Sequence, residues 1–227
     1  MNINLKLFAA QGIALFALFA LSLFLPAGTL DWAVGWIYLV LFFVFYLGVS
    51  AWLFKHNPGL LQERMQMSQP NQKGWDKLLF PVLLVLPFVW LIFISLDAVR
   101  FHWSPLPIWL QTIGLVALLT SFLLFFLVFR ENSFLSTVVR IQKERGHAVI
   151  SSGPYHYVRH PMYSAFLIYM TATPLFLGSG YGVVLGLLFM FVLARRAVME
   201  ENTLRDELPG YLDYMGQVKY RLVPYIW

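Results

Sequence analysis

Residues 162–194 read MYSAFLIYMTATPLFLGSGYGVVLGLLFMFVLA, and the division of this apolar block decides the fold. As one helix it would far exceed the about 20 residues that cross a bilayer, and it would carry Pro174, Gly178, Ser179 and Gly180 in its middle. As two helices, Met162–Leu177 and Tyr181–Ala194, it gives arms shorter than a usual span, joined by a Gly-Ser-Gly turn. Gly182 and Gly186 form a small-xxx-small pair that lets the arms pack closely. A tight helical hairpin is the better reading. The run Gly178-Ser179-Gly180-Tyr181-Gly182 superficially suggests a nucleotide loop, but it follows no strand, so the turn reading prevails.

Upstream, four further blocks are long and apolar enough to span: Leu7–Leu25, Trp32–Phe54 with Asp31 as an N-cap, Leu78–Leu96 and Ile108–Phe129. The first exceeds a signal-peptide core and lacks an Ala-x-Ala site, so it is expected to be an uncleaved anchor. With six spans, 15 of the 16 Lys and Arg residues fall on one side of the membrane and only Arg100 on the other. Five spans would split them 10 to 6. The sharper asymmetry favours the hairpin and puts both termini in the cytoplasm, since basic residues stay inside.

Composition agrees. Of 227 residues, 59% are hydrophobic and 12% charged. A soluble domain has roughly 45–50% apolar and about 25% charged residues. This excludes a soluble globular domain and a disordered chain. With no cysteine, disulfide frameworks, thiolate-bound metals and cysteine nucleophiles are excluded. The expected fold is all-α: a polytopic membrane protein of about six transmembrane helices, the last two a hairpin, with a cytoplasmic C-terminal helix and a small cytoplasmic loop domain. Residues 1–129 hold four spans and residues 130–227 the catalytic region.

Two polar segments carry the chemistry. In the first, β-branched stretches at Val138–Gln142 and His147–Ile150 flank the turn Lys143-Glu144-Arg145-Gly146, a pattern for a small β-hairpin. Then comes Ser151-Ser152-Gly153-Pro154-Tyr155-His156-Tyr157-Val158-Arg159-His160-Pro161, with Pro161 placed to open a helix. In the second, the last span continues as a charged stalk through Arg196, Glu200 and Glu201 to Leu208, and stops at Pro209-Gly210. A tail rich in aromatic and basic residues follows, suited to the headgroup level. His156 and His160 have a ligand spacing on a helix, but Pro154 and Pro161 bracket them and no acid lies between, so no metal is expected. Glu200 and Glu201 can equally be a solvated pair salted by Arg196 and Arg205, and Arg159 an interfacial anchor. Against these single readings stands geometry. The hairpin brings both segments to one membrane face, which favours one shared pocket.

Together the run Gly153-Pro154-Tyr155, the run Arg159-His160-Pro161-Met162-Tyr163, Glu200-Glu201-x-x-Leu204, Tyr211-x-x-Tyr214 and Arg221-x-x-Pro224 resemble the isoprenylcysteine carboxyl methyltransferase family, which groups with the membrane phospholipid methyltransferases. Asn132-Ser133-Phe134 through Arg145-Gly146-His147, and more weakly Lys73-Gly74-Trp75-Asp76, are similar to its bacterial branch, which points to a prokaryotic cytoplasmic membrane. The resemblance implies an S-adenosylmethionine-dependent methyltransferase with its active site on the cytoplasmic face. The acceptor it implies is a lipophilic or lipidated, isoprenylcysteine-like carboxylate entering from the bilayer lipids, with no nucleic acid and no metal as partners. It implies cofactor contacts at Tyr155, His160, Pro161, Tyr163, Glu200 and Glu201, and acceptor-orienting arginines at Arg159 and Arg196. Two departures are Ser164, where the family usually has Gly, and the Leu208-Pro209-Gly210 turn, which differs from the eukaryotic members. The competing readings are a phospholipid N-methyltransferase, which needs a base for its amine acceptor, and a sterol-type NADPH reductase. A transporter or scaffold is disfavoured because the spans lack charge and internal repeats.

Overall fold

The computed structural model describes residues 4–66, 69 and 71–227. Among the described residues eight α-helices follow one another: α1 Leu5–Ala27, α2 Ala33–His56, α3 Pro58–Met65, α4 Gly74–Ser95, α5 Ile108–Glu131, α6 Pro161–Leu177, α7 Gly180–Glu207 and α8 Tyr211–Gln217. The end of α4 continues as a π-helical stretch, Leu96–Phe101. Five of these segments are long and apolar enough to cross a membrane, and α6 is a shorter apolar helix of 17 residues.

These helices are apolar all the way round. Leu23, Leu39, Leu91, Ile94, Leu118 and Met170 fill the interior, while Leu21, Val40, Val85, Leu123, Leu188 and Phe191 stand outward, each at least half exposed. In water such a shell would be intolerable; against hydrocarbon it is the expected lining of a bundle. Trp36, Trp103, Trp109 and Tyr181 ring one end, the interfacial position that amphipathic aromatics favour.

At that end the buried Asp97 carboxylate accepts from the Ser104 amide (2.8 Å) and the Ser104 and Ser179 hydroxyls (2.6 and 2.5 Å). The α6–α7 turn thus meets the α4–α5 connection, so the hairpin runs the full depth of the bundle. Gly178 closes α6 in the left-handed region (φ 88°), and Ser179 caps α7 by accepting from the Gly182 amide. At Gly186 a Cβ would fall on the Met170 carbonyl oxygen, which explains why the arms touch there. Trp90 Nε1 donates to the Gly182 carbonyl and ties α4 to the same seam (2.9 Å).

The opposite end collects the polar segments. Lys73 reaches Glu207, Asp76 reaches Arg196, and Glu63 reaches Arg140. Two expectations are corrected here. No strand forms among the described residues, so 138–150 is not a β-hairpin. Its backbone is taken instead by the α3–α4 connection and the first turn of α4: Val139 N donates to Asp76, the Val139 carbonyl accepts from Lys73 N, and the Ile141 carbonyl accepts from Asn71. Only a single 3-10 turn, Lys143–Arg145, remains. Asp31 does not cap α2; Trp32 takes that position without a side-chain bond.

Candidate active site

A cavity of about 340 Å³ opens where the polar segments meet the helices. One wall is polar, with Tyr155, Tyr163, Arg196, Glu200 and Tyr211. The other is apolar, with Leu83, Leu84, Phe166, Met170, Phe189 and Leu193. Met170 lies about 14 Å along α6 from its polar end, at 1.5 Å per residue, so the cavity reaches well into the bundle. Leu84 lines it and is also 41% exposed on the outer face of α4. The volume lies in the range of small-molecule sites, roughly 300–1,000 Å³.

Most of the side chains singled out from sequence meet here, in two distinct settings. Tyr155 sits in a 3-10 turn, Gly153–His156, with its hydroxyl accepting from Asn132 Nδ2 (2.7 Å). Burial pushes its phenol up. Tyr163 donates to Glu200 (2.7 Å) and accepts from Arg196 (3.2 Å). Arg196 is in turn held by Asp76 (2.9 Å) and the Thr137 carbonyl (2.9 Å). Glu200 lines the cavity and takes this one tyrosine bond and no ion pair from the described residues, so its second oxygen has no partner among them. Pro161 is the first residue of α6 and sets the direction in which Tyr163 emerges.

Glu201 points elsewhere. It is 3% exposed and receives Arg159 (2.9 and 3.2 Å), Arg221 (2.8 and 3.1 Å) and His160 (3.2 Å). Arg159 spends its remaining amino group on the Val218 and Lys219 carbonyls (2.8 Å each). The backbone joins in, with Arg159 N donating to Tyr220 O and His160 N to Arg221 O (2.9 Å each). This cluster clamps the tail, and the tail carries Tyr211 and Tyr214 into the cavity wall. Arg159 and His160 touch the cavity from within that clamp. Arg205 pairs with Asp206, not with the two glutamates. His156 packs edge-on against Tyr157.

Several residues were not anticipated. Asp76, fully buried, fixes both Arg196 and the 138–142 backbone. Glu63 and Arg140 form a buried two-pronged pair (2.9 and 2.8 Å), and hydrogen bonds from Arg140 and Ser136 hold the Glu63 carboxyl low against the opposing effect of burial. His147 stacks on Phe134 at the cavity edge, and burial lowers its imidazole to about 4. Tyr211 lines the cavity, and its hydroxyl is buried with no hydrogen-bond partner among the described residues. The spacing Tyr211-x-x-Tyr214 is the one sequence signal that leads to this group.

The chemistry such a cavity offers is binding and orientation. It has a carboxylate with a free oxygen, a phenol lacking an acceptor, aromatic faces and an apolar recess. Residues 112–206 match the model of the isoprenylcysteine carboxyl methyltransferase (ICMT) family. Comparison with curated proteins gives no match.

Proposed function

We propose that this chain, whose residues 112–206 match the model of the isoprenylcysteine carboxyl methyltransferase family, transfers a methyl group from S-adenosylmethionine to the carboxylate of a lipophilic, isoprenylcysteine-like acceptor. That it is an integral membrane methyltransferase follows from the family and the five long apolar helices. The reading of cofactor and acceptor rests on one observation: a single cavity runs from a polar wall at the mouth of the bundle to an apolar recess at the depth of Met170 and Phe189. The region 130–227 supplies most of this wall, with α3 and α4 completing it. The polar mouth is assigned to the cytoplasmic face, where 15 of 16 basic residues gather.

The residues present suit that cofactor. The Tyr211 hydroxyl needs a hydrogen-bond acceptor, the free Glu200 oxygen needs a donor such as a ribose hydroxyl or an ammonium, and Tyr155 and Tyr214 offer ring faces. Bound there, the cofactor supplies an electrophilic methyl group on a sulfonium, a cation that aromatic faces attract. The protein's task is then to hold the two reactants in line and keep water out, because such a displacement needs little proton transfer. The apolar recess seats the acceptor's chain, and Leu84, which lines the cavity and is exposed on α4, marks the side from which it enters from lipid. A carboxylate acceptor fits better than an amine. His160 is engaged by Glu201, and the basicity of His147 is depressed, so neither stands ready to deprotonate an ammonium.

Calorimetric titration of the detergent-solubilised protein with S-adenosylhomocysteine tests the reading. Saturable binding that weakens at least tenfold in Glu200→Gln is the expected result. No heat and no thermal shift with either cofactor form would sink it. A shift with NADPH would point to the reductase. A labelled-methyl assay on S-farnesylcysteine and on extracted lipids separates a base-labile ester from a base-stable amine product.

A further inference from the structure

Four arginines line the cavity: Arg64, Arg140, Arg159 and Arg196. Three have a carboxylate of their own, in Glu63, Glu201 and Asp76. Arg64 has none among the described residues. Its guanidinium lies over the Phe129 ring (4.7 Å) and gives a single N–H to the Leu135 carbonyl (3.1 Å), out of five that it carries. Its charged neighbour is another cation, Arg196, and burial and that repulsion lower it to about 10. A largely buried cation of this kind is costly unless something anionic joins it.

We propose that Arg64 is the carboxylate anchor of the cavity and the residue that selects a carboxylate-bearing acceptor. The proposal rests on the methyltransferase reading above. A carboxylate can come from the acceptor or from the cofactor's amino-acid end, and the placement of Arg64 favours the acceptor. Tyr155, Tyr211 and Tyr214 pack with Leu208 in one apolar cluster, whereas Phe129, which the Arg64 guanidinium covers, belongs to the other, in the bundle interior. Arg64 therefore stands apart from those tyrosines, on the side where α3 meets α5. Arg196 is already committed to Asp76 and to the Thr137 carbonyl, so the planar fork left free to take two carboxylate oxygens is that of Arg64.

The test compares binding of N-acetyl-S-farnesylcysteine with that of its carboxamide, and of S-adenosylhomocysteine with 5′-methylthioadenosine, in wild type, Arg64→Met and Arg64→Lys. In wild type the acid should bind about 10- to 100-fold tighter than the amide, the worth of hydrogen bonds to a charged group. Arg64→Met should lose that discrimination and Arg64→Lys keep part of it, while both bind S-adenosylhomocysteine within about twofold of wild type. A wild type that binds acid and amide equally overturns the proposal even if Arg64→Met fails to fold. So does an Arg64→Met that still discriminates, as would follow if Arg64 served only a lipid headgroup. A variant that loses affinity for S-adenosylhomocysteine but not for 5′-methylthioadenosine assigns the anchor to the cofactor, which also overturns it. Wild type that binds neither nucleoside would instead fail the methyltransferase reading itself.

Discussion

Glu200 and Glu201 are chemically identical neighbours, yet isosteric replacement should separate them sharply. Glu201→Gln removes the negative charge that faces Arg159 (8% exposed), His160 and Arg221. Breaking a buried ion pair from one side costs roughly 3–5 kcal/mol, since the other charge stays buried and uncompensated. For a chain of 150–250 residues each kcal/mol moves the melting temperature by roughly 2–4 °C, so the variant should melt roughly 6–20 °C lower. Because the same cluster holds Val218 to Arg221, protease should cut the tail near α8 faster as well. Glu200→Gln keeps an oxygen for Tyr163 and breaks no ion pair, so its melting temperature should stay within about 4 °C. Its cost should appear in cofactor affinity. Thermal melting in detergent, with and without S-adenosylhomocysteine, measures both. Wild-type melting for Glu201→Gln, or a larger drop for Glu200→Gln, would refute the division of labour between the two carboxylates.

Other perturbations have similarly distinct signatures. Tyr211→Phe deletes a buried hydroxyl that bonds none of the described residues, so stability without ligand should hold or rise slightly while affinity for S-adenosylhomocysteine falls several-fold; equal losses in both would show the hydroxyl to be structural. The His147 imidazole, lowered to about 4 by burial, is protonated first in the unfolded chain, so its contribution to stability is complete above about pH 6.5 and is lost as pH falls toward 4. Melts at pH 7 and pH 5 should differ more in wild type than in His147→Phe, and an unchanged difference would remove His147 from the account. Gly186→Ala should force the α6–α7 seam apart and sharply lower the yield of folded protein, whereas Gly48→Ala, where a Cβ meets nothing within 4 Å, should be tolerated. Equal yields would contradict the close packing of the hairpin.

Apolar length and turn chemistry made much of the helical architecture legible. Gly178-Ser179-Gly180 marks the hairpin in the sequence itself, because a left-handed residue and a hydroxyl cap are local needs that local residues meet. Arg159, His160, Glu200 and Glu201 were legible as a motif, but not the sense in which the two glutamates diverge. Adjacent positions on a helix point roughly 100° apart, and only the packing decides which direction meets the cavity. Asp76 and Arg196 lie 120 residues apart, and Arg140 and Glu63 lie 77 apart. No spacing rule connects such partners. The failed β-hairpin has the same origin. Val138–Gln142 has strand-like composition, but its bonding groups are claimed by Asn71 and Lys73 of the distant α3–α4 connection and by Asp76 at the start of α4, so propensity lost to tertiary partners. Helix α3 was missed because its eight residues are too short and mixed to show a period.

The short sixth helix lies inside the bundle. Its 17 residues rise roughly 25 Å, against about 30 Å of hydrocarbon in an ordinary bilayer. None of them is exposed, so lipid meets the longer helices around it and protein absorbs the difference in length. Pro161 begins it and Gly178 ends it, and the polar clamp at one terminus and the Asp97 network at the other fix both ends. Such a helix is a strut. It sets the distance between the two polar ends of the bundle, and with it the depth of the cavity that Tyr163, Phe166 and Met170 line.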